Sequence, residues 1–142
     1  MLDFLTVAAF SLLQSQDPAL DLDALPARTV EVVEGSGDAW TYTVVDHPQL
    51  GALRHGPARW VRADGSEAAT GDFEAGARDG RWRFRWPNGE LMASGRYREG
   101  SKAGKWSFKY SNDDLGDDGD FASGGFIDGL RDGRWTFHDA EG

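Results

Sequence analysis

Residues 76–84 read GARDGRWRF, and the same skeleton returns as GSKAGKWSF at residues 100–108 and as GLRDGRWTF at residues 129–137. Each copy has the form Gly-x-x-x-Gly-(Arg/Lys)-Trp-x-Phe, with different residues in the gaps. A spaced skeleton that recurs along a chain is typical of one structural unit repeated along an axis, because each copy packs against its neighbours. The pattern therefore predicts an architecture rather than a catalytic site.

The repeat extends beyond this skeleton, on the frame G-x-(F/Y)-x-x-G-x-x-x-G-(R/K)-W-x-F. The first glycines of the three copies are 24 and 29 residues apart, and the additional residues of the longer spacing fall within residues 111–123. A degenerate earlier copy covers residues 56–65, where Trp60 occupies the Phe position and Ala58 replaces the Trp. The three full copies align without gaps over residues 71–89, 95–113 and 124–142.

Each unit is predicted to form a β-hairpin. In the second unit, residues 95–98 are the first strand, residues 99–104 the turn and residues 105–110 the return strand. Because successive side chains of a strand point to opposite faces, the rings of all units are expected to share one face and to form a continuous ladder. The residues of this predicted ladder are Phe73, Trp82, Phe84, Trp86, Tyr97, Trp106, Phe108, Tyr110, Phe126, Trp135 and Phe137.

The recurring glycines have two predicted roles. Glycine adopts positive φ without a steric penalty, so the two glycines of each Gly-x-x-x-Gly are expected in turns. The first glycine of each unit (Gly71, Gly95 and Gly124) is expected either to form a turn or to leave room for the neighbouring Trp against bare backbone. The predicted turn glycines are Gly76, Gly80, Gly100, Gly104, Gly129 and Gly133.

Composition also favours an all-β fold. The 142 residues include 19 Gly, 6 Trp, 8 Phe and 3 Tyr, a combination typical of many short strands joined by tight turns. Residues 29–34 and 40–46 are rich in β-branched side chains and are predicted strands, with residues 35–38 as the turn between them. Since a lone hairpin is only marginally stable in water, the hairpins must stack. We therefore predict an elongated, single-layer antiparallel β-sheet of stacked β-hairpin repeats.

The extended frame, G-x-(F/Y)-x-x-G-x-x-x-G-(R/K)-W-x-F-x-(W/Y)-x-x-G, resembles the MORN repeat variant, a bacterial relative of the membrane occupation and recognition nexus repeat. It is also similar to proteins described as antitoxin components built from such repeats. The resemblance covers residues 71–142 and, weakly, residues 56–65. It implies stacked hairpins in a single-layer sheet and no catalytic residues. Two features depart from it: Asp113 replaces a turn glycine, and the sequence ends at Gly142, so either an atypical end caps the array or the array is a fragment of a longer one.

The beginning of the chain differs from the repeat. Residues 4–13 form an apolar run that is too short to span a bilayer and has the length of the apolar core of a secretory signal. Asp3, and a segment before the run without Lys or Arg, depart from the signal pattern, so a short N-terminal helix is the alternative. A signal peptide implies export to the periplasm or the exterior, and a helix implies a cytoplasmic protein.

These patterns predict four segments along the chain. They are a signal peptide or N-terminal helix at residues 1–16, an acidic linker at 17–28, a β-rich segment at 29–55 and the repeats at 56–142, divided into units 56–70, 71–94, 95–123 and 124–142.

Charge is unevenly distributed along the chain. The net charge is −9, but residues 71–110 hold nine Lys or Arg and five Asp or Glu, so they carry +4 and the remainder carries −13. The overall acidity argues against nucleic-acid binding. We expect the basic residues of the middle units to project from the face opposite the rings, and assign them as candidate partner-binding residues: Arg81, Arg83, Arg85, Arg96, Arg98, Lys105 and Lys109.

This basic face has three interpretations. It receives an acidic protein surface or anionic lipid headgroups, it is a solvated outer face that keeps the sheet soluble, or the acidic residues 17–46 fold back over it.

No catalytic or metal-binding pattern is present in the sequence. The chain has no Cys, and its three histidines, His47, His55 and His138, lack the spacing of metal ligands. The acidic residues 112–120 do not match the alternation of a calcium loop, and no Ser is singled out as a nucleophile. We expect a non-enzymatic protein without cofactor or metal.

The predicted function is therefore an interaction scaffold that binds another protein, for which the resemblance implies antitoxin-like neutralisation. Peripheral binding to an anionic membrane surface is the alternative.

Overall fold

The protein is described here by a computed structural model that covers residues 20–109 and 120–138. These residues form one open antiparallel sheet whose strand order follows the sequence, so every strand pairs with its sequence neighbours. The predicted all-β, single-layer sheet is confirmed, whereas the predicted segment 1–16 lies outside the described residues. The nine strands are β1 Ala27–Val33, β2 Ala39–His47, β3 Gly51–Val61, β4 Glu67–Glu74, β5 Ala77–Arg85, β6 Leu91–Arg98, β7 Ser101–Lys109, β8 Asp120–Ile127 and β9 Leu130–Phe137.

The hairpin turns within the repeats are two residues long. In the second unit Glu99 and Gly100 have φ values of 51° and 86°, and the other units place Ala75–Gly76 and Asp128–Gly129 in the same region. Two successive positive φ values suit a tight turn whose twist matches that of the flanking strands. The six-residue turn expected at residues 99–104 is therefore wrong, because residues 101–104 already belong to β7.

The second glycine of each Gly-x-x-x-Gly lies inside a strand. Gly80, Gly104 and Gly133 have φ values of 70°, 66° and 68° within β5, β7 and β9. In each case the register shifts: Thr70 pairs with Arg83 and Asp72 with Asp79, so β5 uses four residue steps where β4 uses two. Of the six predicted turn glycines, only Gly76, Gly100 and Gly129 lie in turns. The others form bulges, where the extra residues also require positive φ.

The first glycine of each unit leaves room for the neighbouring Trp against bare backbone, which is one of the two predicted alternatives. A Cβ at Gly95 would lie 2.2 Å from the indole ring of Trp106, so no other residue fits. A Cβ would likewise lie 2.2 Å from the Trp82 ring at Gly71 and 2.3 Å from the Trp135 ring at Gly124. Each indole Nε1–H then donates to the carbonyl of the residue after that glycine, at 3.0 Å to Asp72, 2.9 Å to Arg96 and 3.1 Å to Gly125.

The rings form the continuous ladder that the repeat predicted. Trp106 meets Tyr97 edge-on at 5.1 Å, and its ring also contacts Phe84 of the preceding hairpin and Phe126 of the following one. Trp82 and Trp106 are 0 % and 1 % exposed although the sheet has a single layer. The ladder is therefore the core of the repeats, and it runs through to Trp135 and Phe137. Tyr110 lies outside the described residues.

The strands before the repeats complete the sheet and support a second core. The predicted strands 29–34 and 40–46 correspond to β1 and β2. Trp60 of the degenerate unit stacks on Trp40 at 5.4 Å, while Ala58 is buried at the Trp position. On the opposite side of the sheet, a single 3₁₀ turn at Leu22–Ala24 brings Leu22 against a small apolar cluster with Val45, Leu53 and Ala75.

Candidate functional site

The two sides of the sheet differ in chemistry. We call the side that carries Trp82, Trp106 and Trp135 the ring face, and the opposite side the basic face. Along β5, Arg81, Arg83 and Arg85 alternate with Gly80, Trp82 and Phe84, so these arginines project from the basic face as the alternation predicted.

A groove of about 720 Å³ opens on the basic face. Threonine side chains from β1, β2 and β4 line it, and Arg59, Arg81 and Arg83 contribute guanidinium groups. Thr43 donates its hydroxyl to the carbonyl of Pro57 at 3.2 Å, and Asp72 adds one carboxylate. The groove therefore combines neutral hydroxyls with clustered positive charge. Its threonines are Thr29, Thr41, Thr43 and Thr70.

Two arginines of the basic face lie directly opposite each other. Arg81 of β5 and Arg96 of β6 are paired residues in the sheet register, and both are exposed. Like charges at directly opposed positions are destabilising. Among the ion pairs of residues 20–109 and 120–138, none involves Arg81, Arg83, Arg96, Arg98 or Lys105.

The remaining two predicted partner residues are placed differently. Glu67 accepts from Arg59 at 3.0 Å and lies 3.5 Å from Arg85 Nε, and Arg85 also donates to the carbonyl of Gly89 at 3.0 Å. Arg85 is thus held within the sheet. Lys109 lines a groove on the ring face, where the register shifts between Phe108 and Lys109. Five of the seven predicted residues form no ion pair with another described residue, and we call them the basic set: Arg81, Arg83, Arg96, Arg98 and Lys105.

The acidic N-terminal part does not cover this basic set as far as the structure describes it. Within residues 20–46, Asp23 pairs with His55 at 2.7 Å and Asp46 with Arg28 at 3.2 Å. The carboxylate of Asp38 accepts from the backbone of Ala63. No carboxylate of residues 20–46 forms an ion pair with the basic set, although the 3₁₀ turn of this segment packs on the same side of the sheet.

A row of cations on the ring face was missed by sequence reasoning. Its members cap the ladder at the centre of each Gly-x-x-x-Gly, and Arg54 occupies the matching position two residues before the degenerate unit. The signal was present in the frame, because alternation backwards from Trp82 through Gly80 leads to Arg78. The prediction treated that stretch as a turn. The distances to the ring centroids are 4.5 Å for Arg54 over Tyr42, 5.0 Å for Arg78 over Trp82, 4.9 Å for Lys102 over Trp106 and 4.6 Å for Arg131 over Trp135.

Lys102 is the one amine in this row. Burial lowers the pKa of Lys102 below its ordinary value, and the neighbouring charges of Arg131 and Arg78 lower that pKa further. The protonated amine is therefore both partly removed from water and repelled by like charges.

A second groove, of about 370 Å³, lies beside Lys102 on the ring face. Unlike the groove of the basic face it is mainly aromatic. Trp86 is one of its lining residues, and the Nε1 atoms of Trp60 and Trp86 are buried without a hydrogen-bond partner in the described parts of the chain. The groove is lined by Phe84, Trp86, Met92, Ala93, Tyr97, Lys102, Trp106, Phe108 and Lys109.

The buried histidines have structural partners. His55 lies 2.7 Å from Asp23, and its Nδ1 accepts from the backbone N–H of Ala75 at 3.2 Å. His47 Nδ1 accepts from the backbone N–H groups of Gln49 and Leu50, both at 3.0 Å. These contacts fasten the 3₁₀ turn and the β2–β3 connection.

Metal and membrane sites were also sought in residues 20–109 and 120–138. No group of three His, Asp or Glu side chains is placed there to hold a metal, and the acidic residues 112–120 lie outside that part of the chain. No described helix has the length and apolar character needed to cross a bilayer.

No model of a protein family matches the sequence, and no similar sequence was found among curated proteins.

Proposed function

We propose that this chain is a non-catalytic β-repeat scaffold that binds another protein through its basic face. The observation that carries the proposal is the opposed pair Arg81 and Arg96, which has no carboxylate partner in the described part of the sheet. The ladder beneath fixes the strands, so the cations are held in place before a partner arrives. Such preorganisation reduces the entropy lost on binding. The complementary partner is an acidic protein surface.

The shape of the basic face supports a protein partner over a membrane. Its guanidinium groups and threonines line a groove of about 720 Å³. A protruding protein segment can enter a groove and contact its threonines and arginines together, whereas a flat bilayer cannot follow a concave surface. Peripheral binding to anionic lipid is the second candidate, favoured by the five cations of the basic set, since each basic residue near an anionic membrane contributes about 1 kcal/mol.

Assignment to the MORN repeat variant family is part of this proposal. It is supported by the repeat frame and by two-residue hairpin turns that recur at the same point of three units. Antitoxin-like neutralisation of the partner, and export through a signal peptide at residues 1–16, rest on the sequence patterns alone.

The test is a binding comparison that uses matched variants. Arg81→Gln with Arg96→Gln removes the opposed pair, and Arg28→Gln removes an exposed arginine that pairs with Asp46 away from the groove. We expect the wild-type protein and Arg28→Gln to retain the same single protein from native extract at moderate salt, and the double variant to lose it. Retention by the double variant would contradict the proposal.

A vesicle-binding experiment distinguishes the second candidate, peripheral membrane binding, from the protein scaffold. Vesicles of phosphatidylcholine with phosphatidylserine are expected to bind weakly and to release the protein in salt. Strong vesicle binding that the double variant loses, without a retained protein, would replace the scaffold by the membrane binder.

A further inference from the structure

The row of cations on the ring face continues from one unit to the next. Each full unit contributes a ring from its first strand and a cation from its second strand, at directly opposed positions beside the hairpin turn. Because the units repeat, cations and rings alternate from strand to strand across the sheet. The opposed pairs are Phe73 with Arg78, Tyr97 with Lys102 and Phe126 with Arg131.

The rings hold each cation of the row in place. The guanidinium carbon of Arg78 lies 5.5 Å from the ring centroid of Tyr97, which belongs to the following unit. Lys102 Nζ lies 4.9 Å from the ring centroid of Trp106 and 5.2 Å from that of Phe126, again in the following unit. A cation over a ring face is attracted to it, so these charges occupy fixed positions before a ligand binds.

The cations of the row have no anionic partner within residues 20–109 and 120–138. None of Arg78, Lys102 and Arg131 forms an ion pair there. Burial lowers the pKa of Lys102, and the charges of Arg131 and Arg78 lower it further, so an anion bound along the row would relieve the repulsion. The 3₁₀ turn packs on the opposite side of the sheet, so no described element outside the sheet covers the row.

The spacing of the row selects one conformation of an acidic peptide. Cations of successive units are two strands apart, which is about 9.5 Å at the usual separation of neighbouring strands. A polyproline II helix has three residues per turn and rises about 9.3 Å per turn, so acidic side chains at every third residue point the same way at nearly the same spacing. Side chains on one face of an extended strand recur at about 6.7 Å. Two turns of an α-helix rise about 10.8 Å, so both alternatives depart further from the row.

From these features we propose that the row binds an acidic, proline-rich peptide segment in the polyproline II conformation. The segment crosses the strands, and the carboxylate of every third residue binds Arg78, Lys102 or Arg131. Hydrogen bonds between these cations and carboxylates are charge-assisted and therefore strong. A residue that precedes proline already favours this conformation, so the segment loses little entropy on binding. The row is on the opposite side of the sheet from the basic set, and this binding is independent of the proposed protein-binding face.

The test compares two fluorescently labelled peptides of identical composition. The probe consists of four Glu-Pro-Pro triplets, and its isomer consists of two Glu-Glu-Pro-Pro-Pro-Pro repeats, which place no more than two carboxylates on one side of the helix. By fluorescence anisotropy at moderate salt, we expect saturable binding of the triplet peptide and at least about tenfold weaker binding of the isomer, because a hydrogen bond between charged groups is lost. Equal affinities, or no saturable binding of the triplet peptide, would overturn the site.

Matched arginine variants locate the binding. Arg78→Gln with Arg131→Gln removes two cations of the row, and Arg28→Gln with Arg134→Gln removes two exposed arginines that lie outside it. We expect the first variant to bind the triplet peptide at least about tenfold more weakly than wild type, and the second to bind it with unchanged affinity. Equal affinities of the two variants would contradict the site. If the first variant does not fold, the comparison of the two peptides on the wild-type protein decides.

Discussion

At the scale of single residues, each repeat unit is built around a contact between one Trp and one Gly. Trp106 lies flat on Gly95 and donates its N–H to the carbonyl of Arg96, so a single indole both fills the space above a strand and satisfies a backbone group. The contact explains how a single-layer sheet buries Trp106 to 1 % exposure.

The Trp–Gly contact predicts a large effect of one methyl group. Gly95→Ala places a Cβ 2.2 Å from the Trp106 ring, so the ring must leave its position, and we expect a loss of about 3 kcal/mol in the free energy of unfolding in urea. Gly104→Ala is the control: its Cβ meets no atom within 4 Å, and only its φ of 66° opposes the change, at about 1–2 kcal/mol. Equal losses would show that the indole does not lie on Gly95.

Deletion of a ring tests the ladder itself. Trp106→Ala removes a buried indole that contacts rings from three hairpins, and we expect a loss of about 3–5 kcal/mol in unfolding free energy. Trp86→Ala removes a half-buried indole at the edge of the ladder and should cost less. A Trp106→Ala protein with an unchanged melting temperature would rule out the central position of Trp106.

At the scale of the elements, sequence reasoning found the strands but misjudged where each hairpin turns. Alternation from Lys105 to Phe108 was counted correctly because no residue in that stretch has positive φ. Gly100 and Gly104 both have positive φ, and a turn and a bulge make the same demand on a glycine. The sequence therefore shows a glycine in both places, and only the strand pairing distinguishes the turn glycine from the bulge glycine.

The same error concealed part of the candidate site. Once residues 101–104 are assigned to β7, Lys102 shares the ring face with Trp106. The grooves themselves were beyond prediction, since they depend on register shifts between neighbouring strands. Whether Arg81 and Arg96 form ion pairs with other described residues also depends on which carboxylates lie near them in space.

The cation row predicts a pH dependence at the element scale. The pKa of Lys102 is lowered in the folded protein, so below its ordinary value of 10.5 the unfolded chain binds more protons at this residue than the folded chain does. The contribution of Lys102 to the free energy of unfolding therefore becomes more favourable as the pH increases through the folded pKa towards 10.5. In urea unfolding from neutral to alkaline pH, the stability of Lys102→Met relative to wild type should fall with increasing pH. A difference independent of pH would show that Lys102 is not desolvated on folding.

At the scale of the whole molecule, the two sides of the sheet differ in packing and in charge. The ring face holds the hydrophobic core, which in most domains requires two packed layers. Over β5, β6 and β7 the basic face carries exposed charged side chains, whereas over β2 and β3 it holds the second, smaller core beneath the 3₁₀ turn. This division is the central claim, because it makes the basic set available for a partner.

The most direct test of that claim is the unfolding free energy of Arg96→Glu. The substitution replaces the repulsion between Arg96 and Arg81 by an opposite-charge pair across two strands. We expect the protein to be more stable by about 0.5–1 kcal/mol at low salt, with the gain disappearing in high salt, while retention of the protein partner is lost. A less stable Arg96→Glu protein would contradict the account, since Arg96 would then be required by the fold.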